Sequence, residues 1–209
     1  MKRPGWAWIL SVLFHPLWVP WLIFFVVLHF YASSFFLWSK QLPAWLLKLS
    51  AICWLLLPAV LLFIFKQAGI ITTWEMEQAR ERRLPLLCLL AVYIFSAWAM
   101  HLWELDVRLQ ALPAGVALSL LLAFLLNEFS KISLHTLALG GATTFFAVLA
   151  YHTQHTAWLL PLIASIWASG WVYAARLELG AHTHLQLMGG YGTGMVAMWA
   201  MYCYKACGL

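Results

Sequence analysis

Apolar runs of about twenty residues alternate with short polar islands from one end of the chain to the other, and a helix needs about that length to cross a bilayer. An apolar lead-in covers Trp6 to Phe14 and breaks at His15-Pro16. Spans are then expected at 17–38, 45–65, 84–103, 112–126, 134–151, 157–175 and 185–204. The pattern predicts an all-α integral membrane protein, a bundle of six to seven transmembrane helices forming one domain over residues 1–209. No linker, internal repeat or soluble domain interrupts it. The connections are short, so consecutive helices are expected to be antiparallel neighbours.

The positions of the polar islands carry a topological consequence. One island covers Thr72 to Arg83, a second Asn127 to Ser133, and a third runs from Ala175 to Gln186. They follow the second, fourth and sixth spans. All three are therefore expected on the face that holds the N-terminus, where their side chains can converge. His152 and His155 fall on the opposite face by the same count.

Composition agrees with the pattern and narrows the class. Of 209 residues, 65% are hydrophobic and only 9% charged, with mean hydropathy +0.86. A soluble domain carries about a quarter charged residues. Trp occurs 14 times, as expected where rings anchor at membrane interfaces. A net charge of +5 suits contact with anionic headgroups, and no Lys/Arg-rich stripe points to nucleic acid. Membrane lipids are the expected surroundings; the sequence does not indicate an oligomeric state. The cysteines Cys53, Cys88, Cys203 and Cys207 form no CxxC pair and read as apolar filler.

Ionisable groups at membrane depth are costly and normally face a protein interior or a watery cavity. The first island contains Arg80, Glu81, Arg82 and Arg83 before Pro85, with Glu75 and Glu77 just upstream. If it is helical, Glu77 and Glu81 reach these arginines at three- or four-residue spacings. It reads either as a solvated positive loop or as an anion clamp, since Arg holds phosphate oxygens bidentately. The second island places Lys131, Ser133 and His135 at the start of an apolar helix. Free N–H groups there favour phosphate, although plain capping by Ser130 or Ser133 accounts for the serines. In the third, Arg176 and Glu178 are followed by His182, His184 and Gln186; His182 and Gln186 are four apart and can meet on a helix.

These islands together resemble the motifs of the type 2 phosphatidic acid phosphatase superfamily, which shares its fold with vanadium haloperoxidases. That family carries Lys-x6-Arg-Pro, then Pro-Ser-Gly-His, then Ser-Arg-x5-His-x3-Asp. Here Arg176, five residues, His182, three residues and Gln186 reproduce the third spacing, and Gly190 falls where the family often has Gly. Ile132-Ser133-Leu134-His135 stands in place of the second motif. Arg82 or Arg83, then Pro85, stands in place of the first, without its Lys, a role Arg80 is positioned to take. The similarity covers mainly residues 75–205.

The resemblance implies a phosphoric ester hydrolase acting on a lipid phosphate or diphosphate: phosphatidate, phosphatidylglycerophosphate or an isoprenyl diphosphate. It implies His182 as the nucleophile that becomes a phosphohistidine and His135 as general acid. It implies Arg176, Arg82 or Arg83, Lys131 and Ser133 as holders of the phosphate oxygens. No metal or cofactor is required, and a multi-pass location in a bacterial inner membrane is implied. One departure matters: the family's Asp, which orients the nucleophilic His, is Gln186 here. A Gln carbonyl still accepts the Nδ1–H of His182, but the negative charge is gone.

Two other readings stand beside this one. A catalytically silent relative would bind or transport a lipid phosphate in the same pocket. A metal site drawn from His135, His152, His155, His182, His184 and Glu128 is disfavoured, because His182 and His184 are two apart and face different sides of a helix. The side of the membrane stays open. The excess of Lys and Arg on the motif face argues for the cytoplasm, whereas many bacterial relatives keep the site outside.

Overall fold

Leu, Trp, Phe and Ala fill the apolar runs, and without water every backbone N–H and C=O must find its partner inside the segment. The chain answers with helices. A computed structural model describes residues 4–31, 41–74, 76 and 78–206. The pairing expected of Glu77, the segment 32–38 of the first span, and Cys207 lie outside the described residues. In order come α1 (Gly5–Leu13), α2 (Val19–Phe30), α3 (Leu42–Ala51), α4 (Leu57–Gln67), α5 (Ala79–Leu102), α6 (Val107–Leu126), α7 (Leu134–Thr153), α8 (Leu159–Glu178) and α9 (His184–Ala206). No strand occurs among the described residues.

Among the described residues, five helical segments are long and apolar enough to cross a membrane: Leu42–Gln67, Ala79–Leu102, Val107–Leu126, Leu134–Thr153 and Thr156–Glu178. Six or seven are expected, and the first of those runs partly outside the described residues. The run at 185–204 does form a long helix, α9, but Gly189, Gly190, Gly192 and Gly194 with Gln186 and Thr193 dilute its apolar character. The described part of the first span, α2, is twelve residues long. Two local departures have identifiable causes, one a proline and the other a helix cap. Pro58 has no N–H for the Trp54 carbonyl, and a π-helical turn, Ile52–Leu56, joins α3 to α4 immediately before it. The fourth span starts earlier than its apolar run, because the Asp106 side chain accepts from Arg108 N at 2.9 Å and caps α6.

Helices α6 and α7 are central. In each, 61% of the apolar stretch is buried, against 17% for Leu42–Gln67, 28% for α5 and 22% for Thr156–Glu178. The outer helices turn Ile94, Phe95, Trp98, Ile163, Trp167 and Trp171 outward. A belt of exposed apolar groups this broad is untenable in water and suits a lipid-facing surface. The short α1 packs on α8.

Helix α9 lies against α6 and α7. A Cβ on Gly140 would overlap the Tyr191 carbonyl, and one on Gly194 would overlap the Leu137 carbonyl. At Gly190 it would meet the Ser133 carbonyl at 2.5 Å and the Thr136 hydroxyl at 2.6 Å. Small residues thus let two backbones touch, as helix pairs in membranes favour. The Thr136 hydroxyl, 2.9 Å from the Leu187 carbonyl, donates across the seam. Gly194→Val is expected to destabilise the protein by about 1–3 kcal/mol. Thermal unfolding in detergent measures this, and an unchanged midpoint would refute the close-packing account.

Candidate functional site

Two helix-end devices place the third island. At the end of α8, Gly180 adopts φ +62°, a conformation glycine takes without a Cβ penalty. Ala181 N donates to Arg176 O at 3.1 Å and Gly180 N to Leu177 O at 2.8 Å. This is the paired bonding of a Schellman C-cap. It stops α8 just after Arg176 and reverses the chain within five residues. At the start of α9, Gln186 N donates to the Thr183 hydroxyl at 3.4 Å, and Thr183 N donates to Gln186 Oε1 at 3.1 Å. That reciprocal pair is a capping box. Between the two caps His182 is held inward and buried.

Gln186 therefore has two tasks. Its Oε1 also lies 3.3 Å from His182 Nδ1. The amide oxygen only accepts, so Nδ1 carries the proton and Nε2 presents its lone pair. Burial foremost, then the charges of Arg176 and Arg82, push the His182 imidazole down to about 4; the Gln186 bond opposes this and Lys131 reinforces it. At neutral pH His182 is an uncharged base in a cationic surrounding.

The first island supplies Arg82. It is buried, with Nε donating to Met76 O at 3.0 Å and Nη1 to Ile132 O at 3.1 Å. The two carbonyls fix the guanidinium through Nε and Nη1, and neither of them engages Nη2. Arg83 points the other way. It grips Glu128 with Nε to Oε1 at 2.9 Å and Nη2 to Oε2 at 2.5 Å, on the exposed side of the α5–α6 end. The sequence leaves Arg82 and Arg83 as equal candidates; the fold turns Arg82 to the interior. Glu81 is buried behind them and accepts from Thr72 N at 3.1 Å and the Thr72 hydroxyl at 2.5 Å.

The second island meets the third through Ser133 N, which donates to Gln186 O at 3.2 Å. The Ser133 side chain accepts from Thr136 N at 3.4 Å. It is wholly buried as the N-cap of α7 and is not part of the cavity wall, so the capping reading accounts for it. Lys131 and His135, on either side, do reach the cavity.

That cavity has a volume of about 700 Å³. Arg82, Lys131, His135, Arg176 and His182 line one end, and no Asp or Glu occurs in the described wall. Leu86, Leu89, Val116, Leu120, Ala142 and Met198 line its apolar depth. Residues from all three islands thus surround one space, as the span parity anticipates. Arg80, exposed on α5, is not in the described wall, and His184 sits outside it with Nδ1 2.9 Å from the Tyr173 hydroxyl. Among the described residues no three of His, Cys, Asp or Glu gather as a metal would require.

Two polar wall residues come from the lead-in and its break, which the polar islands do not include. Ser11 and His15 close the cavity from α1 and the turn after it. Arg176 Nη1 lies 3.4 Å from the Ser11 hydroxyl, and His135 Nε2 lies 3.1 Å from the Ser11 carbonyl. The His15 and His135 rings meet edge to face, centroids 5.6 Å apart. A signal is present in the sequence: Ser11 and His15 are four apart, the polar positions of one helical face in an otherwise apolar segment.

Compared with known proteins, the chain matches no family model, no curated protein and no solved structure.

Proposed function

We propose that this protein is a membrane phosphatase that hydrolyses a lipid phosphate ester through a phosphohistidine on His182. One observation carries the reading: a neutral histidine, its Nδ1 held by Gln186, faces a cavity it shares with Arg82, Arg176 and Lys131. The cavity's two chemistries fit an amphiphile, with phosphate at the cationic end and hydrocarbon in the apolar depth.

In this scheme His182 Nε2 attacks phosphorus, the P–O bond to the lipid breaks, and charge accumulates on the phosphoryl oxygens beside the arginines. His135 acts as the imidazolium, a form the charge of the bound phosphate favours: its Nε2–H stays on the Ser11 carbonyl and orients the ring, and its Nδ1–H protonates the departing alkoxide. Water then attacks phosphorus and gives its proton to the neutral His135 Nδ1, the P–Nε2 bond breaks, and inorganic phosphate leaves with His182 and His135 restored. The scheme uses the wall residues together with Gln186, which holds His182 Nδ1.

The test is phosphate release from a panel of lipid phosphates by detergent-purified protein, with Gln186→Glu alongside. A nucleophilic base must be deprotonated, so the acid limb of kcat/KM is expected near pH 4, where burial and the arginines place His182. Glu at 186 keeps the capping box, for which it is an ordinary residue. It adds a carboxylate beside Nδ1–H, which favours imidazolium, so the limb should move upward in pH. The rate at pH 7 should rise about 10- to 100-fold, as a charged orienting group stabilises the imidazolium that develops. An acid limb that stays fixed on substitution would remove His182 from the mechanism. Silence from the parent with turnover in Gln186→Glu would favour the binding or transport reading, which the neutral Gln186 motivates.

A further inference from the structure

We propose that the α1–α2 turn contributes a binding residue to this site: His15, as a neutral Nε2–H donor to a phosphate oxygen. The proposal rests on the reading of the cavity as a phosphate site. The tautomer follows from the hydrogen bond at the other nitrogen. Leu17 N lies 3.3 Å from His15 Nδ1, and a backbone N–H only donates. Nδ1 is therefore the acceptor and the proton of the neutral ring sits on Nε2, on the ring's far side. Pro16 gives no N–H, so the Leu17 amide is the first available donor after the helix breaks.

Position then decides what the donor meets. His15 lines the same wall as Arg82, Lys131, Arg176 and His182. Its ring stands edge-to-face against His135. The His135 Nε2–H is directed to the Ser11 carbonyl, so it is not the donor for that side of the ligand. His15 is also unsuited to the other roles a histidine takes. Its Nδ1 lone pair is engaged by Leu17, which excludes it as nucleophile and base in this geometry. Burial first, then the Arg176 charge, lower its pKa from the ordinary value, which keeps the ring uncharged at pH 7. What remains is a fixed N–H donor, added to a wall already rich in cations without adding charge.

The same turn ties the lead-in to the site in a second way. The Ser11 carbonyl orients His135, and the Ser11 hydroxyl meets Arg176. Ser11 and His15 between them therefore reach two of the site's side chains. A lead-in that only anchored the chain at the interface would need none of these contacts.

The experiment measures inorganic phosphate binding to purified full-length protein by isothermal titration, and separately kcat and KM for a hydrolysed lipid phosphate. Parent, His15→Ala and His15→Gln are compared, with unfolding midpoints recorded. A hydrogen bond to a charged ligand implies a loss of about 10- to 100-fold in phosphate affinity for His15→Ala. KM should rise with it and kcat should change little, since the bond is made before the transition state. His15→Gln, whose amide also donates, should recover at least half of the lost affinity on a logarithmic scale. Equal phosphate affinity in parent and His15→Ala, nil in both included, overturns the proposal, and so does a loss that Gln fails to recover. Phosphate binding that depends on His15 in a protein that hydrolyses nothing would uphold the proposal while removing the phosphatase reading.

Discussion

His182→Ala is expected to lower phosphate release by about 10⁴-fold or more, with the fold intact and phosphate affinity within about threefold of the parent. The size follows from the role. Without the imidazole no covalent intermediate forms, and the residual rate comes from water attacking a phosphate that the arginines still hold. The preserved fold follows from the position. His182 sits in the short connection between α8 and α9, and the side-chain bond it gives up is the 3.3 Å contact to Gln186. Gln186 Oε1 keeps Thr183 N at 3.1 Å, so the cap of α9 survives. The conditions that separate chemistry from folding are thus built into the connection. Single-turnover phosphate release, read beside phosphate binding, measures both. Activity within tenfold of the parent would sink His182 as nucleophile, whatever the substrate.

How much of this is legible in the sequence depends on what kind of signal each feature leaves there. The convergence of the islands is legible because it follows from parity alone: an even number of crossings separates them. The inward aim of His182 is legible in outline from its spacing to Gln186, and the caps give the physical reason for that spacing. A Schellman end consumes Arg176 through Ala181, and a capping box consumes Thr183 through Gln186. His182 is the residue left between them. The contributions of Ser11 and His15 are harder to see, since a short apolar helix announces burial without saying against what. Helix α9 falls below the hydropathy of the other long helices because it gives up apolar bulk for glycines that approach α7. Close packing and membrane hydropathy demand different residues at those positions, and packing prevails.

The choice between Arg82 and Arg83 is beyond the sequence for a related reason. Neighbouring residues on a helix point about 100° apart, and only the placement of α5 against the α6–α7 connection decides which faces inward. The second large effect tests that decision. Arg82→Ala is expected to lower kcat/KM about 10³-fold, the scale of removing a preorganised donor from a phosphoryl group, while Arg83→Ala stays within about twofold. Arg83 and Glu128 expose 50% and 40% of their side chains. An ion pair so open to solvent is worth about 0–1 kcal/mol. Arg82 also holds the Met76 and Ile132 carbonyls, so its loss should cost stability as well, about 1–3 kcal/mol for a buried acceptor left without a donor. Arg82→Lys separates the two contributions. A lysine keeps the charge but lacks the fork that grips two carbonyls and a phosphate oxygen at once. It should bind phosphate better than the Ala variant and still fall well short of the parent in kcat. The reverse ranking, with Arg83→Ala crippled and Arg82→Ala active, would mean that the first island meets the substrate from the exposed side. The buried guanidinium would then be a strut between α5 and the start of α7 and nothing more.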